Sequence, residues 1–289
     1  MAGSQDERDW LESLRIKPGQ KVDLSALPTA DKPNGHDKDA AEARTAEVTQ
    51  SLARLQFLLY ADARSSLLVV LQGLDAAGKD GTIRKVMSGL NPQGVKVTSF
   101  KQPTAQELAH DFLWRVHKAV PGKGEVGIFN RSHYEDVLVV RVHEMVEEKV
   151  WRARYDQINA FEQLLTASGT RILKLFLHIS PEEQLERFAV RLTDPTRQWK
   201  ISEADYTERK HWDAYTKAYE EALERTSTKD APWYVIPADR KWVRNFAVAR
   251  IIEETLLSMD LKTPKVSVDL EEIRRHYHAA VAAADAEAR

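Results

Sequence analysis

The chain of 289 residues has no cysteine, which excludes disulfides, thiolate metal sites and a cysteine nucleophile. Long apolar runs are missing as well. The longest, Ala279 to Ala284, has six residues, whereas a membrane-spanning helix needs about 20. The opening MAGSQDERDW has neither the basic start nor the apolar core of a secretory signal. A soluble, cytoplasmic protein without membrane contact is therefore expected. Charge of one sign is also in short supply: 42 Lys and Arg stand against 44 Asp and Glu, a formal net charge of −2. With a pI near 6.5, the molecule as a whole exerts no pull on nucleic acid, and only a local basic site stays open. Disorder is excluded from the other side, because 43% of the residues are hydrophobic.

Length alone suggests two domains, but the alternation of strand and helix patterns runs unbroken through the middle of the chain. Residues 1–45 read as a polar arm, broken at Pro18, Gly19, Pro28, Pro33, Asn34 and Gly35. Such a segment is either disordered or draped over a body or a partner. Val48, Leu52, Leu55, Leu58 and Leu59 give the apolar face of a first long helix. Leu67 to Leu71 is a run of five apolar residues, as in a strand buried on both faces of a parallel sheet. Further strands are expected at Val95–Phe100, Glu125–Phe129, Arg171–Ile179 and Trp233–Ile236. Helices are expected at Gln106–Ala119, His133–Val146, Val150–Ala167, Ala204–Arg225 and Lys241–Ser258. Ser180-Pro181-Glu182-Glu183 opens another with an N-cap, a first-turn proline and a capping-box Glu. The fold class is thus α/β: one domain over 46–260 with about five parallel strands between helices. A charged helix, Asp269 to Arg289, lies in a tail over 261–289.

Gly73-Leu74-Asp75-Ala76-Ala77-Gly78-Lys79-Asp80-Gly81 follows the buried strand and opens a helix. Glycine spacing and lysine match the phosphate loop G-x-x-x-x-G-K-[ST]. Backbone N–H groups in such a turn face an anion, and Lys79 adds a point charge for a transferring phosphoryl group. Two departures stand out. Asp80 replaces the hydroxyl residue that normally holds Mg²⁺, and Asp75 puts a carboxylate inside the loop. A bare carboxylate 4 Å from a phosphate charge costs about 4 kcal/mol at an effective dielectric near 20. Asp75 is therefore expected to bind Mg²⁺, directly or through water, or to act as a base that orients the attacking phosphate. Asp80 either serves the metal or favours the positive end of the helix dipole.

Phe129-Asn130-Arg131-Ser132-His133-Tyr134-Glu135-Asp136 follows the third strand. Ligands bind beyond the C-terminal ends of strands in open α/β sheets, so this cluster should face the phosphate loop. Asn130 stands where an NTPase carries its metal-holding Asp, leaving Glu135 and Asp136 as candidate carboxylates, Asp136 for the metal. Arg131 suits bidentate phosphate contact. Arg187, Arg191, Arg197 and Lys200 then lie within 14 residues, opposed only by Asp194. They suit a segment of about 187–210 that closes over polyanions. Arg187 and Arg191 share a helix face and would repel without an anion between them. His133 reads as a hydrogen-bonding neighbour rather than a metal ligand. Trp212, Tyr215 and Tyr219 share a helical face and read as core or oligomer contact.

Taken in order, these three motifs resemble the polyphosphate kinase 2 family over roughly residues 45–260. The resemblance implies a P-loop kinase fold similar to thymidylate kinase, with a helical lid. It implies Mg²⁺-dependent (or Mn²⁺-dependent) transfer of the terminal phosphoryl group of inorganic polyphosphate to a nucleotide, and dimers or tetramers. The family's loop Asp and Lys fall on Asp75 and Lys79. Its second motif often runs Asp-Arg-Ser-Trp-Tyr-Asn, where this chain has Asn130-Arg131-Ser132-His133-Tyr134-Glu135. That departure resembles the subgroup that phosphorylates both AMP and ADP. The family's lid arginine falls on Arg191, with Arg187 the alternative. Asp75, Lys79, Arg131, Glu135 and Arg191 are then the expected catalytic residues. Gly73, Ala76, Ala77, Gly78, Asp80, Gly81, Asn130, Arg187, Arg197 and Lys200 are expected to bind phosphate or nucleotide. The alternatives are an ATP-dependent nucleoside monophosphate kinase and a polyphosphate- or nucleotide-binding protein without turnover.

Overall fold

The computed structural model describes residues 5–33 and 36–287, so Asn34 and Gly35 of the arm and the last residues of the tail lie outside it. The strands are β1 (Ser66–Gln72), β2 (Val95–Ser99), β3 (Val126–Asn130), β4 (Thr170–His178) and β5 (Trp233–Pro237). The helices through the middle of the chain are α1 (Gln5–Ser13), α2 (Lys38–Asp62), α3 (Lys79–Val86), α4 (Ala105–Leu108), α5 (Trp114–His117) and α6 (Val139–Val142). Then come α7 (Glu148–Ala167), α8 (Pro181–Thr193), α9 (Glu203–Arg209), α10 (Trp212–Thr226), α11 (Lys241–Leu257) and α12 (Leu270–Glu287). The strands form one parallel sheet in the order β2-β3-β1-β4-β5.

Burial on both faces explains the continuous apolar run of β1. Leu67, Val69 and Leu71 pack with Val48, Leu52 and Leu59 of α2 and Val248, Ile251 and Ile252 of α11. Leu68 and Val70 face the opposite layer, with Tyr155, Ile158 and Phe161 of α7 and Tyr219 and Leu223 of α10. From the central β1 the chain crosses first to one side of the sheet and later to the other. The crevice beyond the C-terminal end of β1 is the topological switch point where α/β folds take ligands. Both polar motifs after β1 and β3 arrive there, since Leu71 pairs with Asn130 and the Arg131 N–H donates to the Leu71 carbonyl at 3.0 Å.

Residues 5–33 lie draped on this body. Leu11, Leu14, Ile16 and Leu24 are buried, and Arg15 bridges Tyr234 antiparallel along the free edge of β5. Glu7 of α1 pairs with the buried Arg250, which also holds Glu253 and Glu254. α12 is exposed over residues 270–286. Among the described residues no helix is long and apolar enough to cross a membrane.

Three expected helices are broken. Gln106–Ala119 is only the two single turns α4 and α5, because the Asp111 carboxylate takes the Leu113 N–H at 2.9 Å. His133–Val146 begins as a 3₁₀ turn, His133–Asp136, before the short α6. That turn buries the adjacent His133 and Tyr134 completely, whereas a regular helix would splay neighbours by about 100°. Ala204–Arg225 divides into α9 and α10, with i+3 bonds from Lys210 and His211 closing α9. The capping box at Ser180 is half made: the Ser180 hydroxyl accepts from the Glu183 N–H, but the Glu183 carboxylate turns to Arg187.

Below the β3 turn lies a buried polar knot. The Lys174 ammonium donates to Glu162 at 2.6 Å, to the Tyr134 hydroxyl at 2.9 Å and to the Thr226 carbonyl at 2.7 Å. Tyr134 and His133 also reach Glu162, so both residues of the turn are anchored, and His133 is indeed a hydrogen-bonding neighbour. Lys174→Met leaves a buried carboxylate without its cation and is expected to cost about 3–5 kcal/mol. Adding Glu162→Gln removes the orphaned charge and recovers most of that loss. Urea unfolding of both variants checks this; a double variant no better than the single contradicts it.

Candidate active site

The phosphate loop is tied from behind. Its carbonyls from Gly73 to Ala77 each accept a side-chain donor. Lys79 donates to Gly73 at 2.6 Å and Leu74 at 3.3 Å, and Gln184 donates to Asp75 at 2.9 Å. Arg187 donates to Ala76 at 2.8 Å and Ala77 at 3.0 Å, and Arg244 reaches Ala77 at 3.4 Å. In a trans peptide the carbonyl and the following N–H point in opposite directions. The Asp75 and Ala77 carbonyls, tethered by Gln184, Arg187 and Arg244, therefore leave the N–H groups of Ala76 and Gly78 aimed away from those tethers, as an anion cradle requires. Ala76 (φ +63°) and Gly78 (φ +104°) are both left-handed. At Gly78 the left-handed backbone disfavours a side chain, and a Cβ would lie 1.9 Å from the Arg244 guanidinium, which would have to move. Gly81 also borders Arg244, at 3.4 Å from where its Cβ would sit.

Opposite the loop, Arg131 projects from the end of β3 in a left-handed conformation, φ +62°. It holds Asp75 at 2.9 Å and stands 3.8 Å from Glu135. These three residues line one pocket with Gly73, Leu74, Gln184, Arg209, Trp212, Tyr215 and Tyr219. Burial pushes the Glu135 carboxyl up, against the pull of Arg131 and Lys79. Burial, and then Arg131, press the Lys79 ammonium down to about 8, although Asp75, Glu135 and Asp80 oppose them. The Lys79 cation is thus lost as pH rises through about 8 in the free protein. Because kcat/KM reports free-enzyme ionisations, kcat/KM for a polyanionic donor is expected to fall above about pH 8. The kcat profile should extend higher, since a bound anion stabilises the cation. A kcat/KM profile flat to pH 9.5 would contradict this.

Asn130 and Asp80 meet each other: the Asn130 amide donates to the Asp80 carboxylate at 2.8 Å. Burial alone would raise Asp80, but the bond from Asn130 and the charge of Lys200 outweigh it and hold the carboxyl below its ordinary value. Lys200 reaches Asp80 at 3.3 Å, so the basic segment already touches the loop. Arg191 sits over Phe188 and bonds the Lys200 carbonyl at 3.3 Å and Asp205 at 3.5 Å. Arg197 pairs with Asp194 on the surface.

Two expected sites are corrected. Asp136 does not meet Asp75; its carboxylate accepts from Arg154 at 3.3 Å, outside the pocket. Arg187 has no donor left for an anion. Besides Ala76 and Ala77 it serves Glu183 at 2.7 Å, Ala238 at 2.5 Å and Asp239 at 3.1 Å. Its five donors are all used, so no anion is needed between it and Arg191. Sequence reasoning also missed Gln184, Arg209 and Arg244. Gln184 was hidden inside a helix-start signal. Tyr215 and Tyr219 belong to the core as expected, and the same face, with Trp212, closes the pocket.

Among the described residues no three His, Cys, Asp or Glu gather into a cage for a metal. Asp75 and Glu135 are hard oxygen donors lining the pocket, and this fits Mg²⁺, which takes one or two carboxylates plus substrate phosphates.

A model of the family described as polyphosphate kinase 2 matches residues 35–264. The chain belongs to the polyphosphate kinase 2 family. It is 48% identical over 264 residues to the AMP/ADP-polyphosphate phosphotransferase of Meiothermus ruber, covering 91% of this chain and 99% of that one. It is 44% identical to the ADP-polyphosphate phosphotransferase of Rhodopseudomonas palustris, over 89% and 93% of the two chains. Among solved structures, polyphosphate kinase 2 from Arthrobacter aurescens TC1 superposes with a TM-score of 0.89 at 41% identity, over 93% of this chain and 96% of that one. The five-stranded parallel sheet of this family member, with its phosphate loop between β1 and α3, is accordingly that of a P-loop kinase.

Proposed function

We propose that this chain transfers the terminal phosphoryl group of inorganic polyphosphate to AMP and ADP, giving ADP and ATP, reversibly and with Mg²⁺ or Mn²⁺. One observation carries the reading: Asp75, inside the phosphate loop, is held by Arg131 across the pocket at 2.9 Å, with Glu135 beside it. A carboxylate in that place repels phosphate unless it holds a cation or orients an attacking oxygen. The names of the two relatives, one for AMP and ADP and one for ADP, support the acceptor class.

In this reading the acceptor phosphate sits by Asp75, Arg131 and Glu135, and the donor end approaches the loop and Lys79. Asp75 and Glu135 would hold the divalent ion with substrate oxygens; when bound, it supplies charge neutralisation between donor and acceptor. The chain's own groups do the rest. The loop N–H groups cradle phosphate oxygens, and Lys79 leaves the Gly73 carbonyl to follow the transferring group. Arg131 exchanges its carboxylates for phosphate oxygens. Catalysis is positioning plus electrostatics. The body over 46–260 does this work, with a lid over about 187–210 that brings Arg191, Arg197 and Lys200 over the donor and excludes water. Arg191 is its catalytic arginine. A cytoplasmic homodimer or homotetramer without nucleic-acid partners completes the reading.

Incubation with long-chain polyphosphate, Mg²⁺ and either AMP or ADP, followed by chromatography, tests the acceptor range. ADP and then ATP from AMP are expected. ATP from ADP alone would keep the donor and remove AMP as acceptor.

A further inference from the structure

Gln184 is almost fully buried at the root of the lid, and both ends of its amide are used. Its Nε2 donates to the Asp75 carbonyl at 2.9 Å. Its Oε1 accepts from Arg209 at 2.8 Å. The chemistry fixes the amide's orientation: a carbonyl can only accept and a guanidinium can only donate. Arg209 also donates to the Pro181 carbonyl at 2.9 Å. Gln184 lies on α8, before the lid; Arg209 ends α9, on the return from it. One amide therefore joins the phosphate loop, the outgoing lid helix and the returning one.

We infer that Gln184 and Arg209 are positioning residues that couple the place of Asp75 to the placement of the lid. The inference rests on the proposed reaction and adds a relay to it. The Asp75 carboxylate is held in front by Arg131 and its backbone behind by Gln184. If the lid helices shift, Arg209 moves, the Gln184 amide turns, and the Asp75 peptide loses its tether. The loop is strained next door, with Ala76 left-handed at φ +63°, so a lost tether lets it relax out of the cradle conformation. Lid closure thus does more than exclude water. It locks the carboxylate that must face the acceptor phosphate. The adjacent Arg187, on the same helix, fixes the next two carbonyls and keeps the rest of the loop in register.

Two substitutions separate the two halves of the relay. Gln184→Glu keeps an acceptor for Arg209 but sets a carboxylate oxygen against the Asp75 carbonyl. Arg209→Met cuts the lid half and leaves the amide on the loop. Each is expected to lower kcat with AMP and polyphosphate roughly 10- to 100-fold, the scale of small misplacement at a reacting centre. KM for AMP should change little and Tm by a few degrees at most. The double variant should be no slower than the slower single, because both cut one connection. Single effects that multiply would show independent roles, such as direct substrate contact by Arg209, and would overturn the relay. Loss of Tm with wild-type kcat in the folded fraction would reduce both residues to structure and overturn it too. If Gln184→Glu does not fold, Arg209→Met alone decides: wild-type kcat contradicts the inference. A wild-type protein inactive with polyphosphate would instead sink the proposed reaction, so the two failures are distinguishable.

Discussion

Lys79→Ala is expected to lower turnover with AMP and polyphosphate by at least ~100-fold, with folding intact. The ammonium is part-buried against the Gly73 and Leu74 carbonyls of the phosphate loop, where burial and Arg131 press its pKa down to about 8. A cation kept in so unfavourable a place does little for the stability of the free protein, and perturbation of this kind gathers at functional sites. The cation becomes useful when a polyanion arrives, because preorganised charge in a site closed to water stabilises what develops in the transition state. Removing one such donor typically costs about 10²–10³ in rate. The methylene stem is lost without opening the core, since the chain packs at a loop. Circular dichroism and Tm near wild type, with turnover at or below ~1%, is the result that fits. Turnover within a few-fold of wild type would remove Lys79 from the chemistry.

Asp75→Asn carries an equal expected loss, at least ~100-fold, for a different reason. The amide has the same shape, can still accept from Arg131, and leaves the backbone bond from Gln184 in place. What disappears is the negative charge, and with it both a hard ligand for a divalent ion and a group able to orient an attacking phosphate oxygen. A shape-only role would survive the exchange. The loss should also resist added Mg²⁺, since more metal cannot restore the missing ligand. Near-wild-type turnover, or full rescue at high Mg²⁺, would contradict the role.

The sheet was legible because β1, β3 and β5 are short, apolar and bounded by turn residues, and the five-residue apolar run of β1 fits a strand buried on both faces. The phosphate loop was legible because glycine spacing, lysine and flanking elements coincide. What the sequence hid was direction. Arg187 and Arg191 share a spacing, yet one turns back to the loop carbonyls and the other to Asp205. Glu135 and Asp136 are adjacent, yet the 3₁₀ turn sends one to Arg131 and the other to Arg154. That turn itself was unreadable locally, because it is held by Glu162 and Lys174 from α7 and β4. Gln184 and Arg209 were invisible for the same reason: their partners are far away in sequence.

The most direct test of the account holds AMP and Mg²⁺ fixed and supplies one donor at a time, long-chain polyphosphate or ATP, to wild-type protein. The expected result is ADP followed by ATP with polyphosphate as the only donor. Product formation from ATP and AMP, with none from polyphosphate, would contradict the account and leave an ATP-dependent nucleoside monophosphate kinase.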